Sequence, residues 1–462
     1  MKMKEECGLF AISAHAEAAR MAYFGLYAQQ HRGQESAGIA VWDGETMHEY
    51  KDVGLVYDIF NERHLSQLLQ GNIAVGHVLS SAAEVVSPRN AQPLMIRHGD
   101  LALAVAHNGA LTNAQELRRQ LEADGAIFQT QSDAEVFLHL IVRGIRALSL
   151  EEAVIAACRK VQGAYSLLLL ANGVLMALRD PHGIRPLALG RVNGTHVIAS
   201  ETCAFDLLEA EYVRSIAPGE LVIIENNAIR SRTLEQAAAT RQCVFELVYF
   251  ARPDSLVFDE SVYMRRKAMG RRLAEEAPVE ADFVMPFPDS GVYCALGFAQ
   301  ESGLPYEHAF IRNHYVGRTF IQPTQGMRNF SVRVKINPVR EMLLNKRIVI
   351  VDDSIVRGTT MRTRVRKLRE LGAREVHCRI SCPPVRHPCF YGINSADPGQ
   401  LLAARHSVEE IRGILGLDSL AFLSAEGLLS TLAQQNAYCL GCFDGKYPGR
   451  DGCAHAGRHH GN

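Results

Sequence analysis

The sequence has no charge surplus: 49 Lys and Arg stand against 50 Asp and Glu in 462 residues, a formal net charge of -1. That balance supplies no global field for a nucleic acid or a membrane surface, so any anion site must be built locally. No run of 18 or more apolar residues occurs, and the first residues, charged at Lys2, Lys4, Glu5 and Glu6, lack the apolar stretch of a signal peptide. The expectation is a cytoplasmic chain with no membrane or nucleic-acid partner. Low-complexity tracts and fixed-period repeats are missing, which excludes a solenoid. So is G-x-x-x-x-G-K-[ST], which argues against a nucleotide triphosphatase.

What is present points first to two domains, because 462 residues exceed the size at which one core keeps growing. Eleven cysteines in a reducing compartment read as metal ligands, catalytic thiols or buried residues rather than disulfides. The first half mixes strand-like runs, "GIAVW" and "LALAVAHNG", with helical stretches such as "AEVFLHLIVRGIRAL". This predicts an α+β domain with antiparallel sheets that closes near "TLEQAAATRQ". Beyond it strands alternate with helices: "DFVMPF" then "CALGFAQESG", "RIVIVDD" then "MRTRVRKLRELG", then "EVHCRISC". That alternation predicts a parallel sheet with crossover helices. Two further helices are expected at "SVEEIRGIL", capped by Ser407, and "SAEGLLSTL", capped by Ser424.

The stretch "RIVIVDDSIVRGTTMRTRVRKLREL" carries the most chemistry. A β-branched strand runs into two carboxylates, then a loop of small and hydroxyl residues, then a helix, which is how an open α/β sheet builds a ligand crevice. Ser354, Gly358, Thr359 and Thr360 offer backbone N–H and hydroxyl donors to a phosphate at the positive end of the helix. Asp352 and Asp353 are placed to accept from ribose hydroxyls or to hold a hydrated Mg²⁺. Near the start, Cys7 in "CGLF" has two readings: a small buried residue, or a nucleophile whose own α-amino group becomes its base once the preceding six residues are removed.

"VDDSIVRGTT" resembles the pyrophosphate–ribose signature of type I phosphoribosyltransferases. "FELVYFARPDS", "PFPDSGV", "NHYVGRTFIQP", "CGLF", "QHRGQESAGI", "HNGALTNA", "RDPHGIRPLALG" and "SETCAFD" resemble stretches of the glutamine phosphoribosylpyrophosphate amidotransferase family, from Cys7 to about Pro448. The resemblance implies an N-terminal-nucleophile hydrolase domain, antiparallel sheets between helix layers, fused to an α/β phosphoribosyltransferase domain. Its parts would be a propeptide at 1–6, a glutaminase domain at 7–238, a phosphoribosyltransferase domain at 239–450 with C-terminal helices and a metal-cluster segment, and a disordered tail at 451–462. Cys7 would attack the glutamine side-chain amide, with the Asn108 side chain and the Gly109 N–H as oxyanion donors, Arg32 near the nucleophile and Asp133 at the glutamine amino group. The released ammonia would pass inside the protein and displace pyrophosphate from phosphoribosyl pyrophosphate, giving phosphoribosylamine, the first committed step of purine synthesis. Arg318 would offer charge to the diphosphate from a closing loop, and Ser290 beside Asp289 matches the segment that holds Mg²⁺ and diphosphate with Asp352 and Asp353. Purine nucleotides as inhibitors and a homotetramer are also implied.

Cys439 and Cys442 form "CLGC", which by itself suits zinc, iron–sulfur or redox chemistry. Cys243 and Cys389 fall where one branch of the family carries the other ligands of a [4Fe-4S] cluster; Zn²⁺ in a four-thiolate site is the chemical alternative. One stretch departs from the family. Where glutaminase domains of this class read Gly-His-Val-Arg-Tyr, a small residue and Thr, with the Arg gripping the glutamine carboxylate, this chain reads "GHVLSSA", with Leu79, Ser80 and Ala82. Leu cannot make a bidentate Arg contact. Arg89 and Arg97 are the candidates to supply that charge. The alternatives are an ammonia-dependent synthase with an impaired glutaminase half, and a non-catalytic regulator that binds phosphoribosyl ligands.

Overall fold

The structure, a computed structural model, describes residues 4–5, 7–80, 87–234, 238–312, 336–394 and 398–449. Its first half runs in the order β1 (Cys7–Ile12), α1 (Ala18–Ala28), β2 (Ser36–Trp42), β3 (Met47–Val53), β4 (Ile73–Leu79), β5 (Leu94–His98), β6 (Leu101–Leu111), α2 (Ala114–Ala123), α3 (Asp133–Gly144) and α4 (Leu150–Lys160). Strands β7 (Gly163–Ala171), β8 (Val174–Arg179), β9 (Ala188–Val192), β10 (Thr195–Ala199), β11 (Glu211–Ser215), β12 (Glu220–Glu225) and β13 (Ala228–Thr233) complete it. A seven-stranded antiparallel sheet, ordered β11-β9-β10-β1-β4-β2-β3, faces a six-stranded one, β13-β12-β8-β7-β6-β5.

Period-two alternation explains how these sheets stack. Leu9, Ala11, Ala40 and Val75 point inward from the first sheet onto Ala102, Ala104, Ala106, Leu168 and Leu170 of the second. The alternate residues Phe10, Ile12, Ile39, Val41 and Val78 point outward under α1, and Leu103, Val105, Leu167 and Leu169 point outward under α3 and α4. The result is the expected helix–sheet–sheet–helix sandwich.

The second half contains α5 (Val262–Glu276), β14 (Phe283–Pro286), α6 (Val292–Ser302), β15 (Arg347–Asp352), α7 (Thr359–Glu370), β16 (Glu375–Ile380), α8 (Val408–Leu415), β17 (Ser419–Phe422) and α9 (Ala425–Ser430). Strands β14-β15-β16-β17 form a parallel sheet. Ser407 closes a capping box with Glu410 at the start of α8, and Ser424 caps α9 by accepting from the Gly427 N–H at 2.8 Å. Helix α9 ends at Ser430, short of the stretch the apolar pattern predicts. Two short pairings connect distant segments: Lys4–Glu5 runs antiparallel to Ile393–Asn394, and Gln242–Cys243 runs parallel to Tyr438–Cys439.

Candidate active sites

Cys7, Leu79 and Ser36 are register partners across β1, β4 and β2, so their side chains form one row on the inward face at one end of the sandwich. Cys7 is 4 % exposed. His77, two residues before Leu79, also points inward, and its Nε2 meets the His107 carbonyl of the facing sheet at 3.1 Å. That contact brings the next residue, Asn108, to the Cys7 end of the interior. The Asn108 side chain is fully buried, yet among the described residues neither its Oδ1 nor its Nδ2 has a hydrogen-bond partner. Such an orphaned amide is costly unless a ligand completes it. Burial holds His77 neutral, pushing its pKa down to about 3, and lowers that of His107 as well.

Asp133 opens α3, but the cap of that helix is Ser132, which accepts from the Ala134 N–H at 3.2 Å. The Asp133 carboxylate is turned instead toward the site strand: its Oδ2 accepts from the Leu111 N–H at 2.7 Å. Arg32 faces no open pocket. It is 1 % exposed; its Nε donates to the Cys7 carbonyl at 3.2 Å, one amino group binds Glu201, and Nη2 binds both Glu246 oxygens at 3.0 and 2.9 Å. Burial works against the Glu201 charge, and His31 at 2.7 Å together with Arg32 outweighs it, holding that carboxyl below the usual range.

At the carboxyl end of β15, Asp353 is fully buried and Asp352 is 4 % exposed. Ser290, in the loop after β14, donates to Asp352 Oδ1 at 3.0 Å, and the Asp353 N–H donates to the same oxygen at 3.0 Å. Ser354 donates to Asp353, and Arg312 pairs with Asp289. Gly358 then turns the chain with a φ of 71°, and a Cβ there would fall 2.7 Å from Leu402 Cδ2. Thr359 and Thr360 follow, both exposed, so the first turn of the twelve-residue α7 opens to solvent. Sequence reasoning missed two cations here. Arg364 lies 3.2 Å over the Phe287 ring, and burial pushes its pKa down to about 10 against the pull of Asp352. Arg364 Nη1 and Arg357 Nε are buried without a partner among the described residues. Their signal was an arginine-rich loop and helix beside two acids. Arg318 lies outside the described residues, as does Ala82.

The four expected thiols come from three segments. Cys243 and Cys439 are register partners, and the Cys442 carbonyl accepts from the Arg386 and His387 N–H groups at 2.9 and 3.0 Å, tying in the loop that carries Cys389. Burial pushes the Cys439 thiol up to about 12 and raises Cys243 and Cys442, and the thiols reinforce one another. Among the described residues no three His, Cys, Asp or Glu side chains converge to hold a single metal ion. Four cysteine thiols are soft donors of the kind that hold either an iron–sulfur cluster or a zinc ion. Asp352 and Asp353 are hard oxygen donors that suit Mg²⁺, which takes one or two carboxylates and keeps its waters.

Of the two candidate charges for the glutamine carboxylate, Arg97 is excluded by register. It pairs with Ala102, six residues along β6 from Asn108, about 20 Å away, and donates to the Met47 carbonyl. Arg89 stands on the correct edge. Its neighbour Asn90 accepts from the Gln131 N–H at 3.3 Å, and Gln92 joins the His107 N–H to Ser132 Oγ.

A model of the glutamine amidotransferase domain matches residues 79–206. The amidophosphoribosyltransferase of Synechococcus elongatus is 49 % identical over 452 residues, covering 96 % of this chain and 92 % of that one. That of Bacillus subtilis is 46 % identical over 452 residues, covering 96 % and 94 %. Among solved structures, glutamine phosphoribosylpyrophosphate amidotransferase from B. subtilis, complexed with ADP and GMP, superposes with a TM-score of 0.90 at 46 % identity over 96 % of this chain and 97 % of that one. A structure of the allosteric regulatory enzyme of purine biosynthesis gives 0.91 at 45 % identity over 96 % of both. Among the described residues no helix is long and apolar enough to cross a membrane.

Proposed function

The chain belongs to the amidophosphoribosyltransferase family, and from that premise we propose which residues do its work. It is a glutamine amidotransferase and a pentosyltransferase, forming 5-phosphoribosylamine, glutamate and pyrophosphate from phosphoribosyl pyrophosphate and glutamine on the route to purines. In our reading the glutaminase activity resides in residues 7–238 and the phosphoribosyl transfer in 239–450.

Removal of residues 1–6 gives Cys7 a free α-amino group, which takes the thiol proton as the sulfur attacks the glutamine amide carbon. The developing oxyanion is met by Asn108 Nδ2 and the Gly109 N–H. That buried, unpartnered Asn108 amide is the observation that carries this part of the reading. Asp133 receives the glutamine ammonium group. Arg32 orients the Cys7 main chain rather than touching substrate, since its nitrogens are committed to Cys7, Glu201 and Glu246. With Leu79 in place of a carboxylate-binding Arg, Arg89 supplies the remaining charge, and glutamine is held less tightly.

In the second half, the α7 N-terminus with Ser354, Thr359 and Thr360 holds the 5-phosphate, and Asp352 and Asp353 accept from the ribose hydroxyls. Ser290, Asp352 and Asp353 are where Mg²⁺ would be held, and that ion would supply charge neutralisation to the departing diphosphate. The buried Arg364 adds cationic charge beside Asp352, and Arg318 is the further cation that the family resemblance assigns to the diphosphate. Cys243, Cys389, Cys439 and Cys442 would hold a [4Fe-4S] cluster, which supplies a crosslink among three segments and no chemistry to either reaction. Purine nucleotides, by likeness to the B. subtilis relative bound to ADP and GMP, are the expected inhibitors, and a homotetramer the expected assembly.

The test is to purify the protein without oxygen and compare phosphoribosylamine formation with glutamine and with ammonia, for wild type and Cys7→Ala. Glutamine-dependent formation is expected to vanish in Cys7→Ala while the ammonia-dependent rate persists. Glutamine use that survives in Cys7→Ala overturns the assignment. Intact mass of the mature chain reports removal of the first six residues.

A further inference from the structure

The Cys7 site is not built by its own half alone. Segment 244–251 belongs to the core of the second half, where Val244, Phe245, Leu247, Val248 and Phe250 are buried with the parallel sheet. Arg266 of α5 clamps it by donating to the Leu247 carbonyl at 2.9 Å and the Ala251 carbonyl at 2.8 Å. From this clamped segment one acid, Glu246, points the other way. It is fully buried, accepts twice from Arg32 Nη2, and accepts from Arg185 Nη1 at 3.0 Å. Arg32 in turn holds the Cys7 carbonyl. A second contact arrives beside it. Arg185 Nε donates to the Tyr391 carbonyl at 3.1 Å, and the next residue, Gly392, packs on Gly109. Gly392 has a φ of 95°, and a Cβ there would lie 2.8 Å from both the Cα and the carbonyl carbon of Gly109. The nucleophile's main chain and the oxyanion donor are therefore both braced from the phosphoribosyl half.

We infer that Glu246 is a positioning residue for amide hydrolysis: it fixes Arg32, and through Arg32 the backbone of Cys7, while Gly392 backs Gly109 from the same half. The inference rests on the assignment of Cys7 as nucleophile. A carboxylate is required because two guanidinium groups share it in a space closed to water, where a neutral amide leaves positive charge uncompensated. Glu246 touches neither substrate nor the reacting atoms, so its loss lowers the rate of the glutamine step rather than the affinity for glutamine.

The experiment uses the full-length, oxygen-protected protein with four variants: Cys7→Ala, Glu246→Gln, Glu246→Asp and Gly392→Ala. Glu246→Gln is expected to lower glutamine-dependent kcat by about tenfold or more, leave the KM for glutamine within about twofold, and leave the ammonia-dependent rate within about twofold. Glu246→Asp keeps the charge, guards against a variant that does not fold, and lowers glutamine-dependent kcat by about threefold. Gly392→Ala gives the same split, because the ammonia route bypasses Gly109. Loss of both rates in parallel, or no change in either, overturns the inference. Glutamine use surviving in Cys7→Ala overturns the underlying assignment instead, so the two failures are distinguishable.

Discussion

At the Cys7 site the charged side chains are shut from water and joined to one another; at the 352–360 loop the two acids and Ser354 are buried, and the helix start that follows them faces outward. Arg32, Arg185, Glu201 and Glu246 are all 1 % exposed or less, whereas Thr359 and Thr360 are open to solvent. The closed site is held by contacts between residues more than 150 positions apart, such as Arg32 with Glu201 and Glu246. The open one is written into one continuous stretch from Asp352 to Thr360. Under the proposed assignment, the Cys7 thiol and the ammonia it would free need enclosure, while a substrate carrying a phosphate and a diphosphate must enter from water and bring its own charge to the donors. The comparison teaches that one chain uses tertiary packing where water must be excluded and local backbone where an anion must be admitted.

The largest expected effect breaks the symmetry of the two sites. Asp353→Asn removes a fully buried carboxylate bonded by Ser354, and phosphoribosylamine formation is expected to fall by about a hundredfold or more with either nitrogen donor. A steady-state assay with glutamine and with ammonia checks it; an effect confined to glutamine would place Asp353 in the wrong half. Next, Arg364→Met keeps the stacking on Phe287 and removes the cation. The KM for phosphoribosyl pyrophosphate should rise by about tenfold with the glutamine KM unchanged.

A third test sharpens the contrast through pH. His77 is fully buried with its pKa pushed down to about 3, so the native state stays neutral where the unfolded chain, at 6.5, takes up a proton. Its contribution to stability is complete above 6.5 and is lost as pH falls toward 3. Between pH 7.5 and 5.5 this one group should cost about 1.4 kcal/mol, a loss absent from His77→Gln. Denaturant midpoints of the two proteins at both pH values measure the difference; equal losses would show that His77 gains a proton in the fold.

The strand–loop–helix from Arg347 to Glu370 was legible because it lies in consecutive residues: a β-branched strand, two acids, a small-residue loop and a helix start. The sandwich and the parallel sheet were legible for the same reason, through period-two alternation and the strand–helix rhythm. Cys7, Asn108, Gly109 and Asp133 could be named only by likeness, since nothing local says that residues 7 and 108 meet. Glu201, Glu246 and Arg185 were quoted within "SETCAFD", "FELVYFARPDS" and "RDPHGIRPLALG" without a role. Their one signal was a charge set among apolar neighbours, as in "FELVYF", and the partner of a buried charge depends on strand register and on how the halves meet. The same limit applied to Arg97, which sequence distance alone left as a candidate and which register puts at the wrong end of β5.

The smallest effect concerns Leu79, where the chain reads "GHVLSSA" instead of the Arg-bearing stretch that the resemblance leads one to expect. Leu79 sits in the row of Cys7 and Ser36, partly exposed at the mouth of the site, and the Ser36 hydroxyl beside it is buried without a partner among the described residues. From Leu79 the segment that carries Arg89 lies on the Ser36 side of the sheet, beside β3 and away from Cys7. Because Leu79 is partly open to water, the gain from a restored guanidinium–carboxylate contact is screened and amounts to about 1 kcal/mol. Leu79→Arg should therefore lower the KM for glutamine by about fivefold and leave the ammonia-dependent rate and the KM for phosphoribosyl pyrophosphate unchanged. Arg89→Ala alone should raise the glutamine KM, and by less when Leu79→Arg is present, since the two cations would share one carboxylate. If Leu79→Arg raises the glutamine KM instead, the apolar side chain is part of how this site holds its substrate, and the enclosed half has been rebuilt around leucine rather than weakened by it.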